Sequence, residues 1–66
     1  MRNSIRERRL ERRLSQAALG ASLGVSRQTV NAIENGKYDP SLPLVFRLSA
    51  VFEVPIEELF TPEDDD

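Results

Sequence analysis

Sixty-six residues allow one small domain. The chain holds no cysteine and no histidine, which removes disulfides, thiolate metal sites and the usual general base, so neither a metal nor a cofactor is expected and an enzyme is disfavoured. The net charge of −2 hides a strong asymmetry: residues 1–38 carry eight basic against three acidic side chains, a balance of +5, whereas residues 39–66 carry Arg47 against eight acids, a balance of −7.

In chain order, the first expected helix runs from Ser4 to Leu14, with Ile5, Leu10 and Leu14 apolar and Ser4 or Asn3 as its cap. Arg12 and Arg13 near its end suit the negative end of the helix dipole. Ser15 caps a second helix, Gln16 to Leu23, in which Leu19 and Leu23 lie four apart on one face. Gly24 follows, where a left-handed residue stops a helix. Ser26 caps a third helix from Arg27 to about Glu34, with Val30 and Ile33 inward and Arg27, Gln28, Asn31 and Ala32 outward. Asn35 and Gly36 close it.

Lys37 to Ser41 reads as a loop, because Pro40 forbids continuation. Ser41 caps a fourth helix to Phe52, in which Pro43 sits early enough to be tolerated and Leu44, Val45, Leu48, Val51 and Phe52 form the buried stripe. Pro55 opens a short fifth helix through Phe60, with Ile56, Leu59 and Phe60 apolar and Glu57 and Glu58 outward. Residues 1–60 form the domain, and Thr61 to Asp66 reads as an acidic, disordered tail. Five short helices and no convincing strand predict an all-α fold. No apolar run approaches the roughly 20 residues of a membrane span, so a cytoplasmic, nucleoid-associated protein is expected.

The second and third helices, with a tight turn between them, satisfy the demands of a helix-turn-helix unit. Its fifth residue must be small, and Gly20 is there; its turn wants glycine, and Gly24 is there. Its inner positions must be aliphatic, and Leu19, Leu23, Val25, Val30 and Ile33 comply. In such a unit the second helix enters the major groove of DNA.

Leu14-Ser15-Gln16, Leu23 to Val30 and Ile33-Glu34-Asn35-Gly36 resemble the phage repressor and Cro type of helix-turn-helix, the Xre family. The resemblance continues through Tyr38-Asp39-Pro40-Ser41-Leu42 and the stretch Val51 to Phe60, and so covers about Ile5 to Phe60. It implies a five-helix bundle of the lambda-repressor type, acting as a dimeric transcriptional regulator on double-stranded DNA. It further implies that Arg27, Gln28, Asn31 and Ala32 face base edges. Gln16, Thr29, Asn35 and Lys37 would meet the DNA backbone, Gln16 also bracing the reading helix, and Arg9 and Glu34 would form an orienting ion pair. Two departures stand out: Arg8 replaces a leucine common in relatives, with Leu10 as the expected compensation, and Pro55 replaces a small polar cap.

Residue chemistry agrees with these roles. Arginine bonds bidentately to guanine and glutamine to adenine, whereas Ala32 offers only apolar contact, for example to a thymine methyl. Outside such a unit, an outward Arg-Gln pair would read as a solvated face, and the arginines of the first helix are expected to be solvated, with Arg12 or Arg13 as lesser candidates for phosphate contact. Tyr38 is expected to pack. Ile56, Leu59 and Phe60 are expected core residues that become dimer contacts if left exposed. A homodimeric repressor on an inverted repeat is therefore the leading expectation. The competing one is an interaction module, such as an antitoxin or antagonist, that holds a basic protein partner through the acidic half.

Overall fold

The structure is a computed structural model that describes residues 2–62. Its elements are β1 (Arg2–Asn3), α1 (Ile5–Glu11), α2 (Gln16–Leu23), α3 (Arg27–Glu34), α4 (Leu42–Phe52), α5 (Ile56–Leu59) and β2 (Phe60–Thr61). The three longest helices start on a serine in extended conformation. The hydroxyls of Ser15, Ser26 and Ser41 accept from the backbone N–H of Ala18, Thr29 and Leu44. Each satisfies a first-turn donor that no carbonyl of its own helix can reach, a cap typically worth about 1 kcal/mol.

The helix ends follow one rule with two different chemistries. Helices α1 to α4 each stop on a left-handed residue: Arg13 (φ 56°), Gly24 (φ 78°), Gly36 (φ 72°) and Glu53 (φ 58°). In each case the following N–H reaches back five residues: Leu14 to Arg9 O (3.1 Å), Val25 to Gly20 O (2.9 Å), Lys37 to Ala32 O (2.9 Å) and Val54 to Ser49 O (3.3 Å). This is the Schellman closure. The two glycines adopt it freely; Arg13 and Glu53 adopt it against the crowding of their own Cβ.

The expected α1 is thus too long. It ends at Glu11 rather than Leu14, because Arg13 turns left-handed. Its inner face is Ile5 and Arg9, four apart, so Leu10 falls outside that face and stands exposed. Leu10 therefore does not compensate for Arg8. Tyr38, expected to pack, is also exposed. The last helix is shorter than expected as well, and Phe60 leaves it in extended conformation.

The expectation of no strand is corrected by a small antiparallel ladder. Arg2 pairs with Thr61 and Asn3 with Phe60, which ties the two ends of the domain together. Thr61 therefore belongs to the fold rather than to the tail, and residues 63–66 lie outside the described residues. A two-residue ladder carries no periodicity to read.

The core is formed by ten residues contributed by all five helices and β2, among them Ile5, Leu19, Ile33, Leu48, Phe52 and Leu59. Each fully buried aliphatic side chain contributes about 1.5–3 kcal/mol. Leu59 and Phe60 sit in this core, at 0% and 8% exposure. Ile56, Leu59 and Phe60 were expected in the core and in dimer contact only if exposed; Leu59 and Phe60 are enclosed by their own chain, and Ile56, packed against the core, keeps a partly open side. Among the described residues no helix is long and apolar enough to cross a membrane.

Candidate nucleic-acid interface

The crossing of α2 and α3 is set by Gly20. A Cβ built there would lie 2.7 Å from the carbonyl oxygen of Val25, inside any tolerable contact. Without a side chain at that point, the turn through Gly24 and Val25 folds flat onto α2. Val25 packs on the core, and Val30 and Ile33 bury the inner face of α3. The outer face of α3 is thereby fixed by packing rather than by its polar side chains.

On that outer face, Arg27, Gln28 and Asn31 join Gln16 around one open cleft of about 290 Å³. Arg27 and Gln28 occupy the first two positions of α3 and are exposed. Asn31 accepts through Oδ1 from Asn35 Nδ2 at 3.1 Å, leaving its own amide N–H groups to face outward. Ala32 is half-buried beside them, and Thr29 is half-buried with its hydroxyl 3.1 Å from that of Ser26. Asn35 and Lys37 are exposed at the closing turn of α3. The residues expected to read bases and those expected to meet the backbone are thus carried by α3, its closing turn and the start of α2.

Behind this face lies a charged brace. The Glu34 side chain is fully enclosed. Its Oε2 accepts from Arg9 Nε at 2.6 Å, and its Oε1 accepts from Arg9 Nη2 at 3.3 Å and from Gln16 Nε2 at 3.1 Å. Arg6 Nε lies 3.6 Å from the same Oε1. Arg9 Nη1 also donates to the carbonyl of Leu14 at 2.8 Å. Burial pushes the Glu34 carboxyl upward, but the hydrogen bonds from Arg9 and Gln16 and the charges of Arg9 and Arg6 outweigh it, so its pKa lies below the ordinary value. Among the described residues no buried polar side-chain atom lacks a partner. The expected Arg9–Glu34 pair is present, and Gln16 completes it as a link between α2 and α3.

Two further side chains tie the elements together, Asn3 as the expected cap of α1 and Arg12 in a role the sequence reading missed. Asn3 donates from Nδ2 to the carbonyl of Ile33 at 2.8 Å and accepts through Oδ1 from the N–H of Ile5 at 3.1 Å, joining β1, α1 and the end of α3. Arg12, expected to be solvated or near phosphate, instead donates to the carbonyls of Val51 (2.7 Å) and Phe52 (3.2 Å), with its guanidinium 5.5 Å from the centre of the Phe52 ring. It caps the end of α4, where unsatisfied carbonyls favour a cation. A signal existed only for Asn3, whose short polar side chain was already a cap candidate.

A family model described as Helix-turn-helix matches residues 5–59. An uncharacterized HTH-type transcriptional regulator of Methanocaldococcus jannaschii is 50% identical over 66 residues, covering all of both chains. Among solved structures, the P22 c2 repressor in complex with a synthetic operator superposes with a TM-score of 0.77 at 30% identity, covering 80% of each chain. The restriction-modification controller protein C.AhdI from Aeromonas hydrophila superposes with a TM-score of 0.76 at 32% identity, covering 85% of each chain.

Proposed function

The chain belongs to the helix-turn-helix family of transcriptional regulators, of the Xre and Cro type, and on that premise we propose that it represses transcription as a homodimer bound to an inverted-repeat operator. In this reading α3 lies in the major groove, with Arg27 and Gln28 carrying most of the base discrimination and Asn31 and Ala32 adding to it. Each well-placed bidentate pair discriminates by about 1–3 kcal/mol. Gln16, Thr29, Asn35 and Lys37 hold the DNA backbone. Gln16 keeps one amide N–H for a phosphate after donating the other to Glu34.

The observation that carries the proposal is the shared cleft of Gln16, Arg27, Gln28 and Asn31, set on a helix whose inward face is locked by the core. The P22 c2 repressor, a structural neighbour, is complexed with an operator. A two-fold dimer would space its reading helices about 34–36 Å apart, facing half-sites roughly 10 base pairs apart.

The test is a titration against duplex DNA at several salt concentrations. Phosphate neutralisation predicts a steep linear fall of log affinity with log salt. Binding that is absent, or flat with salt, would refute the proposal and favour an interaction module that recognises a basic protein through the acidic half.

A further inference from the structure

Two cations meet one anion behind the reading face. Arg9 bonds both oxygens of the Glu34 carboxylate, and Arg6 Nε lies 3.6 Å from its Oε1. Arg9 alone balances that carboxylate, so the cluster carries a surplus positive charge. The geometry says which arginine bears it. Oε1 already accepts from Arg9 Nη2 and from Gln16 Nε2, and a carboxylate oxygen offers two lone pairs. Nothing is left on it for Arg6 to bond, and 3.6 Å is a charge contact rather than a hydrogen bond. The N–H groups of Arg6 are therefore uncommitted among the described residues. Its side chain is 54% exposed, whereas that of Glu34 is enclosed.

Position gives that charge a use. Gln16 bonds the same Oε1 that Arg6 approaches, so the two side chains stand together on one atom. Gln16 also lines the cleft with Arg27, Gln28 and Asn31. Arg6 thus brings α1 to the edge of the face built by α2 and α3. The other arginines of α1 are spent inside the fold. Arg9 is buried. Arg8 donates to Ser4 Oγ at 3.0 Å and lies 3.7 Å from Glu58 Oε1. Arg12, just past the end of α1, is engaged on α4.

We infer that Arg6 is a further phosphate-binding residue of the DNA interface, gripping the sugar-phosphate backbone beside Gln16 while Glu34 steadies its guanidinium. The inference rests on the regulator reading above and extends its backbone contacts to α1. A guanidinium fork matches the oxygens of a phosphate bidentately. An ion pair with so exposed a partner contributes little by itself, and a phosphate supplies the acceptors that Oε1 lacks. Contacts of this kind position the protein without reading sequence, so Arg6 sets affinity and not motif.

The test is a salt titration of the wild type, Arg6→Gln and Arg6→Lys against a duplex that the wild type selects from a random library and against an unselected duplex. Thermal melts accompany it. Arg6→Gln removes the charge and keeps an amide beside Glu34. It is expected to weaken binding about tenfold at low salt, equally on both duplexes. The slope of log affinity against log salt is expected to become shallower by about 0.9, and Arg6→Lys to restore it. Both variants are expected to melt within about 4 °C of the wild type, as for an exposed side chain. Replacing single phosphates by neutral methylphosphonate then locates the contact: one replacement weakens the wild type and leaves Arg6→Gln unaffected. An unchanged slope in Arg6→Gln, a slope that Arg6→Lys fails to restore, unequal losses on the two duplexes, a larger fall in melting, or a phosphate scan identical for both proteins would overturn the inference and confine Arg6 to the brace. A wild type without salt-dependent DNA binding defeats the regulator reading itself.

Discussion

Gln16 donates to Glu34 across 3.1 Å, and this hydrogen bond joins the first residue of α2 to the last residue of α3. Arg9 closes the same carboxylate from α1. Three helices therefore meet on one enclosed anion, which ties α1 and the start of α2 to the last residue of α3.

Removing that anion is expected to cost more than removing Gln16. Glu34→Ala strands a nearly buried guanidinium at Arg9, a loss on the order of 3 kcal/mol. For a domain of this size the thermal midpoint should fall by roughly 12–24 °C, at about 4–8 °C per kcal/mol. Gln16→Ala removes one hydrogen bond and should cost about 1 kcal/mol. Differential scanning calorimetry of the two variants checks the order; equal midpoints would contradict the brace.

The same carboxylate sets a pH dependence. Its folded pKa lies below its ordinary value of 4.5, so the folded state favours the ionised form. The stabilisation is fully present above the unfolded pKa and disappears as pH falls through the folded one. Wild-type stability should therefore drop below about pH 4.5. In Glu34→Gln the drop should be shallower, which urea titrations across acidic pH would measure. Parallel curves for both proteins would show that other carboxylates govern the acid limb.

The strained helix ends offer a gain. A left-handed conformation costs an ordinary residue roughly 1–2 kcal/mol, and glycine gives back about 0.5–1 kcal/mol of that through its looser unfolded chain. Arg13→Gly and Glu53→Gly should each stabilise by about 0.5–1 kcal/mol. Thermal melts that fail to rise would mean that the side chains at these ends contribute more than the strain removes.

At Gly20 the expectation reverses. Alanine there would press its Cβ against the backbone carbonyl of Val25 at 2.7 Å, and backbone yields poorly. Gly20→Ala should destabilise by about 1–3 kcal/mol and weaken DNA binding beyond what the lost stability explains, because it shifts α3 on α2. A variant that binds DNA as tightly as the wild type would argue against a fixed crossing.

The parts of the fold legible in the sequence were those set by neighbours in the chain. Ser15, Ser26 and Ser41 announced three helix starts, and Gly24 and Gly36 two helix ends, because caps and left-handed turns act over a few residues. The ends at Arg13 and Glu53 carried no such signal, since neither residue type prefers that conformation. Arg12 was unreadable for a different reason: its partners Val51 and Phe52 lie about forty positions away. The Asn3–Phe60 pairing joins opposite ends of the domain and is equally silent. Leu59 and Phe60 are buried as expected of core residues, but the sequence left their dimer role open, because an apolar residue in a short helix gives no clue to whether its own chain covers it. At the candidate interface, the outward positions of Arg27, Gln28 and Asn31 followed from the periodicity of α3 alone, whereas the link from Gln16 to the Glu34 carboxylate needed the fold.

Base reading by α3 through Arg27 and Gln28 is tested by selecting bound duplexes from a random library with the wild type, Arg27→Ala and Lys37→Ala. The wild type is expected to select a two-fold symmetric motif and Lys37→Ala the same motif, recovered at lower affinity. Arg27→Ala is expected to show relaxed preference at one position of each half-site, with about 1–3 kcal/mol of discrimination lost there. An unchanged motif from Arg27→Ala, or no motif from the wild type, would contradict base reading by α3.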